Sequence, residues 1–177
     1  MGGLTARAYP VCNYAVMYFQ DLTFYQHFEF DSSALNVGWL DSAHPFPTGD
    51  VPIDFIEKLK RLAREPVLFT CGQHVCEFCD LGPRPVGLDM AAYKARHERA
   101  TAADALSSAE IRVVDRDGKV YASPAMIGHY VATHRYQPPR EFVEAVMEML
   151  PLPFQYSQPP FRLERRNTKD SAGSEQP

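Results

Sequence analysis

The chain of 177 residues has no excess of positive charge, no long apolar run and few cysteines. Its net charge of −4 disfavours a general nucleic-acid-binding surface, because such domains are usually basic. No apolar run approaches the roughly 18 residues that a membrane-spanning helix needs. The N-terminal stretch also lacks the apolar segment and cleavage site of a signal peptide. These absences predict a cytoplasmic protein without a membrane partner.

The rest of the composition is that of an ordinary globular protein. Hydrophobic residues make up 45% and charged residues 23%, which is enough apolar material for one core. We expect an N-terminal extension at 1–16 and a single globular domain at 17–150. The remaining 151–177 is rich in proline and polar residues, a composition that predicts a largely disordered tail.

Hydrophobic periodicity and turn residues predict an α+β fold with a small antiparallel sheet and three or four helices. The predicted elements are a strand within 18–30, a helix over 52–64 capped by Thr48 or Asp50, a short strand over 67–70, a surface helix or insertion within 80–107, a hairpin over 110–122, a helix starting at Ser123-Pro124 and a last helix over 140–150. The hairpin turns at Asp117-Gly118, a strong turn dipeptide. On its first arm, Glu110 and Arg112 alternate with apolar residues, so we expect both to face away from the core.

Three of the four cysteines lie within nine residues, in the stretch TCGQHVCEFCD at 70–80. Disulfide frameworks spread their cysteines along the chain, so this cluster favours a cytosolic metal or thiol site. Cys76 and Cys79 have the C-x-x-C spacing of a zinc knuckle, in which two thiolates on a tight turn face one ion.

His129 and His134 are the candidates for completing such a site, because H-x4-H is a spacing found in Cys2His2 zinc sites. An ideal helix would place these two side chains about 140° apart around its axis. Both can therefore reach one ion only if the end of the helix tightens or unwinds. The prediction is a zinc-like site that ties the cysteine-rich loop to a distant helix.

His74 is a rival ligand, since it forms a three-ligand set with Cys76 and Cys79 on one loop. Either helical histidine, or Cys71, would supply the fourth ligand. If only three protein ligands bind, the fourth position is open to water or substrate, as in catalytic metal sites.

Three residues are acid–base candidates for such a metal-dependent, hydrolase-like enzyme: Glu77, Glu110 and His44. His44 lies with Asp41 in a loop rich in glycine and proline, and a rigid hydrogen-bonded turn is the simpler interpretation of that pair. A metal-free interaction module is a third possibility for the chain.

Two redox interpretations of the cysteines fit poorly. Cys71-x4-Cys76-x2-Cys79 has the spacing of a plant-type iron–sulfur site, but no cysteine follows position 79, and only Cys12 remains. A thioredoxin-type pair would begin a helix, whereas Cys79 is followed by the loop residues Asp80-Leu81-Gly82-Pro83.

The stretches MYFQDL, NVGWLDSAHPFPTG, HVCEFC and GKVYASPAMIGHYVATHRYQPPREFVEAV together resemble an uncharacterised bacterial family, a domain of unknown function. The resemblance covers roughly 17–150. It implies a pattern with Gly72-x-His74-x-Cys76-x-x-Cys79 and the two helical histidines, in which Cys71 has no counterpart. This favours Cys76, Cys79, His129 and His134 as ligands, with His74 near the ion.

The prediction is therefore a metal-binding protein, with zinc as its cofactor. The metal is mainly structural, and the chain acts as a binding or scaffold module. The sequence identifies no partner, and either a small molecule or a protein is compatible with it.

Overall fold

Four β-strands form one sheet in the computed structural model, which describes residues 18–26 and 33–149. The strands lie in the order β1-β4-β3-β2, where β1 is Leu35–Asn36, β2 is Leu68–Val75, β3 is Leu106–Val114 and β4 is Val120–Pro124. Strand β3 is antiparallel to both β2 and β4, whereas β1 adds a two-residue parallel pair with β4. The predicted small sheet is confirmed, and it is antiparallel apart from this pair.

Within the described residues, four helices accompany the sheet, in agreement with the predicted three or four. They are α1 (Ile53–Leu62), α2 (Met90–Ala102), α3 (Ile127–His134) and α4 (Arg140–Glu148). Helix α2 lies in the alanine-rich segment, for which the sequence allowed either a surface helix or an insertion. No helix in the described part of the chain has the length and apolarity needed to cross a membrane. The predicted extension at 1–16 and tail at 151–177 lie outside the described residues.

The β3–β4 hairpin forms where the sequence predicts it. Its turn is closed by Asp115, whose Oδ1 accepts hydrogen bonds from the Asp117 N–H at 3.0 Å and the Lys119 N–H at 2.8 Å. Gly118 has a φ of +81°, a conformation that disfavours residues with a side chain. The hairpin continues into α3, so this turn helps to position one half of the site described below.

The main core lies between the hairpin and the helices. Ile111 and Val113 of β3 and Phe55 of α1 are fully or almost fully buried, as is Phe142 of α4. The rings of Phe55 and Phe142 meet edge to face with centroids 6.2 Å apart, and Phe142 meets Tyr121 of β4 at 5.7 Å. Burial of these aromatic side chains is a large favourable contribution to folding.

Glu110 and Arg112 lie on the sheet face opposite Ile111 and Val113, as predicted, but this face is not exposed to solvent, since the two residues are only 1% and 4% exposed. It is covered by the segment that contains Tyr25. The Tyr25 hydroxyl donates to Glu110 Oε2 at 2.7 Å, and Arg112 pairs with the same oxygen at 2.8 Å. The guanidinium of Arg112 also lies 4.7 Å from the centre of the Tyr25 ring. The alternation of residues along β3 was predicted correctly, but the second face of the sheet is covered by another part of the chain.

The predicted helix start at Ser123-Pro124 is wrong. Both residues belong to β4, where they pair with Ile111 and Glu110, and α3 begins only at Ile127. Proline is tolerated at the end of a strand because the missing N–H interrupts no further ladder bond. Here the long-range pairing with β3 decides the local structure.

Two smaller expectations also change. Within 18–26 there are isolated bridges, Phe19 to Trp39 and Phe24 to Leu35, rather than a strand, and 27–30 lies outside the described residues. Helix α1 begins after Pro52 without a side-chain cap. The two residues that were predicted to cap α1 form other contacts. Thr48 forms a bridge with Tyr136, and Asp50 pairs with Arg135.

Candidate metal centre

Two cysteines and two histidines converge at one point of the fold. The ligand atoms of Cys76, Cys79, His129 and His134 all lie within 4.8 Å of one another, and this group could hold a metal ion. We call these four residues the Cys/His centre. The two cysteines follow β2 and the two histidines lie on α3, some fifty positions later in the chain.

The spacing of the four ligand atoms fits a tetrahedral ion. His134 Nε2 lies 3.3 Å from both sulfur atoms, and His129 Nε2 lies 3.3 Å from the Cys79 sulfur and 3.3 Å from His134 Nε2. A tetrahedral zinc ion with Zn–S of about 2.3 Å and Zn–N of about 2.0–2.1 Å spaces its ligand atoms about 3.3–3.8 Å apart. These four distances lie at the short end of that range, and the donor set is that of a Cys2His2 site.

The cysteine half is a tight turn at the end of β2. The Cys76 N–H donates to the Ala105 carbonyl at 2.9 Å and so extends the pairing of β2 with the chain that enters β3. The chain then bends, and the backbone N–H groups of Phe78 and Cys79 hydrogen-bond the Cys76 sulfur. Such bonds favour a thiolate over a thiol, because they place donors on the sulfur.

The histidine half occupies the short helix α3. The helix ends at His134 because Arg135 takes a left-handed conformation with a φ of 56°. The Arg135 N–H and the Tyr136 N–H, the latter at 3.1 Å, then both donate to the Tyr130 carbonyl, which closes the last turn of the helix. In this arrangement the rings of His129 and His134 lie 5.1 Å apart at an angle of 74°, and both Nε2 atoms face the cysteines.

The His129 ring is oriented by groups outside the centre. It hydrogen-bonds the carbonyl of Ala103, which follows α2, and Thr133 Oγ1 lies 3.4 Å from its Nδ1. Bonds of this kind fix the tautomer and direction of a metal-binding imidazole. The end of α2 thus takes part in the centre, a role that no sequence pattern indicated, because a backbone carbonyl leaves no residue-type signal.

Protonation of the centre follows from its burial. Burial raises the pKa of the Cys76 thiol to about 11, although the N–H bonds to its sulfur act in the opposite direction. Burial also lowers the pKa of His129 and His134, and the neighbouring His134 ring adds to the effect on His129. The imidazoles are therefore held in the neutral form that ligates a metal, whereas the Cys76 thiol must lose a proton to do so.

His74, the rival ligand, lies outside the group of four converging ligand atoms. Its Nε2 is 2.9 Å from the hydroxyl of Tyr130, a fully buried residue of α3. Burial lowers the pKa of His74, although the charge of Glu77 opposes this. Tyr130 is therefore a neighbour of the site that the sequence prediction did not include. Cys71 belongs to β2, and its side chain is not among those that the structure describes.

The three acid–base candidates are engaged in other contacts. Those of Glu110, with Tyr25 and Arg112, are described above. Glu77 accepts hydrogen bonds from the Ser42 N–H at 3.0 Å and hydroxyl at 2.8 Å, and it pairs with Arg84. Burial alone would raise the pKa of Glu77, but these partners outweigh it and lower that pKa. His44 Nδ1 lies 2.7 Å from Asp41 Oδ1, in the rigid turn that the sequence favoured.

Residues 17–147 match the model of a family described as Domain of unknown function (DUF7919). The match covers most of the chain and includes all four residues of the Cys/His centre. It confirms the resemblance that the sequence motifs indicated. No curated protein and no solved structure matches the chain.

Proposed function

The chain belongs to this family of undetermined function, and we propose that it is a zinc-binding protein in which the metal is mainly structural. Zinc would be held by Cys76, Cys79, His129 and His134. The metal would lock the turn after β2 against α3, and the locked domain would serve as a binding or scaffold module.

The convergence of four protein ligand atoms carries this proposal. Structural zinc sites are closed by four protein ligands, whereas catalytic sites keep one position for water or substrate. Thiolate and imidazole together favour zinc over magnesium or calcium, which prefer oxygen ligands. The cysteine turn and helix α3 lie far apart in the chain but adjacent in the fold. An ion that binds both would therefore act as a stabilising cross-link.

Contacts of the neighbouring residues support the structural role over the enzymatic one. Glu77 is fixed by Ser42 and Arg84, and Glu110 lies in the cluster with Tyr25 and Arg112. Neither carboxylate has the freedom of a proton-transferring group beside an ion. The pair of thiols also favours a reducing compartment such as the cytoplasm, where disulfides are rare.

Elemental analysis of the purified protein tests the proposal. We expect one zinc per chain in the wild type and loss of that zinc in His134→Ala, because three ligands bind less tightly than four. His97→Ala is the matched control, since His97 lies on α2 and stacks with Tyr93 at 6.3 Å. A wild-type protein without bound metal, or an His134→Ala variant with its full zinc content, would show that the proposed site is wrong.

A further inference from the structure

The loop formed by residues 41–50, which we call the groove loop, is mostly exposed. Its own turn is held by Asp41, whose Oδ1 accepts from the Ala43 N–H at 3.1 Å and the His44 N–H at 3.0 Å. An exposed loop of this kind depends on a few contacts with the rest of the protein for its position. The described contacts lead to both halves of the Cys/His centre.

Two neighbouring residues of the cysteine turn hold the first part of the groove loop. Glu77 accepts from both the N–H and the hydroxyl of Ser42, and its side chain is only 8% exposed. Phe78 packs edge to face on Phe46, with ring centroids 5.0 Å apart. Phe78 also contacts the imidazole of His134 at 5.4 Å. Both of these loop contacts start between Cys76 and Cys79.

The second part of the groove loop is held by the chain that leaves α3. The Gly49 N–H donates to the Arg135 carbonyl at 3.0 Å, and the Gln137 N–H donates to the Pro47 carbonyl at 2.9 Å. Between these bonds, Thr48 forms a bridge with Tyr136. These contacts begin directly after His134. The groove loop therefore joins the cysteine half of the centre to the histidine half.

One side of a groove is formed by this loop. The groove has a volume of about 740 Å³, and Pro45, Phe46 and Pro47 line it. Pro138, Pro139 and Val143, which follow α3 or lie on α4, line it as well. A change in the distance between the two halves of the centre would therefore move the loop relative to the other wall.

We propose that metal binding at the Cys/His centre fixes the groove loop, and with it the width of the groove. The inference rests on the proposed function, because it requires the centre to bind a metal. Without the ion, the cysteine turn and the end of α3 lose the link through the four ligands and keep only weaker contacts such as that of Phe78 with His134, so the loop that both support is held less firmly. The metal then acts on a surface that contains none of its ligands.

Hydrogen–deuterium exchange of the full-length protein, with zinc bound and after removal by a chelator, tests the inference. We expect amide exchange in 41–50 and at Gln137 to become at least about tenfold faster without zinc, because local opening becomes more frequent. The β3–β4 hairpin serves as the internal reference and should keep its protection. Equal exchange of the groove loop in both states, with zinc demonstrably bound in one of them, would overturn the inference.

The variant Glu77→Ala tests the contact between Glu77 and Ser42 separately from metal binding. It should still bind one zinc, yet the N-terminal part of the groove loop should exchange fast even with zinc present. Glu57→Ala is the matched control, because the exposed Glu57 pairs only with Lys60 on α1 among its described contacts. A chain that takes up no zinc at all would overturn the proposed function itself, and this inference with it.

Discussion

Two polar clusters lie in the interior of this protein, and they differ in how their charges are compensated. The cluster of Tyr25, Glu110 and Arg112 contains its own cation, so the carboxylate is paired within the chain. The Cys/His centre gathers two thiols and two imidazoles, and burial shifts the pKa values of Cys76, His129 and His134 towards their uncharged forms. A buried charge needs a partner of opposite sign, so thiolates at the centre require a cation from outside the chain.

The comparison separates two uses of buried polar residues. The cluster around Arg112 fixes the segment with Tyr25 on one sheet face and is complete once the chain has folded. If the Cys/His centre binds a cation as proposed, its contribution to the link between turn and helix can vary with metal supply. Disrupting each cluster in turn should therefore change different properties of the protein.

Cys76→Ser should have the largest effect, because it removes a buried ligand and with it the zinc. At a zinc concentration about 1,000 times Kd, bound metal stabilises a protein by about 4 kcal/mol. Its loss should lower the melting temperature by about 8–16 °C for a chain of this size. Calorimetric unfolding together with metal analysis measures both effects. Cys71→Ser should leave both unchanged, and zinc content that depends on Cys71 but not on Cys76 would refute the ligand set.

Arg112→Met should reduce stability by a similar amount, since it leaves the Glu110 carboxylate buried without its guanidinium partner. Breaking a buried pair in this way costs about 3–5 kcal/mol. Urea unfolding of the zinc-loaded protein should show this loss while the metal content stays at one per chain. Arg116→Met is the control, because the exposed Arg116–Glu148 pair contributes about 1 kcal/mol or less. If Arg112→Met instead released the metal, the two clusters would not be independent.

His74→Ala should have a moderate effect on stability and none on zinc content. It leaves the buried Tyr130 hydroxyl without the partner that His74 provides, at a cost of about 1–3 kcal/mol. A double-mutant cycle with Tyr130→Phe should give a coupling energy of about 1 kcal/mol between the two side chains. Loss of zinc from His74→Ala would make His74 a ligand and exclude the four-residue set.

The last prediction concerns the dependence of zinc affinity on pH. At pH 7 the Cys76 thiol is protonated, because burial raises its pKa to about 11, and binding as a thiolate releases that proton. His129 and His134 release none, since burial lowers the pKa of both. Affinity should therefore increase from pH 7 to pH 9. Calorimetric titrations in buffers of different ionisation enthalpy count the protons, and a pH-independent affinity would contradict this account.

The sequence predicted the convergence of four residues that could hold a metal ion better than it predicted their surroundings. The spacing of Cys76 and Cys79 on a turn and of His129 and His134 on a helix is local, so it could be read directly. Local sequence could not decide between His74 and the two helical histidines as ligands. The choice depends on how α3 lies against the turn after β2, where both helical imidazoles face the two cysteines while His74 reaches Tyr130.

The errors about the fold have a common physical origin. The residues Ser123 and Pro124 carry a local helix-start signal, but pairing with β3 keeps them in a strand. Glu110 and Arg112 alternate as residues on an exposed face would, but a distant segment covers that face. In both cases a contact between remote parts of the chain outweighs the local pattern, and a single sequence contains no direct record of such contacts.

X-ray absorption spectroscopy at the zinc edge tests the central claim most directly. For the metal-loaded protein we predict two sulfur ligands at about 2.3 Å and two imidazole nitrogens at about 2.0–2.1 Å, with no bound water. A spectrum with a single sulfur ligand, or with oxygen in place of one imidazole, would contradict the closed Cys2His2 centre.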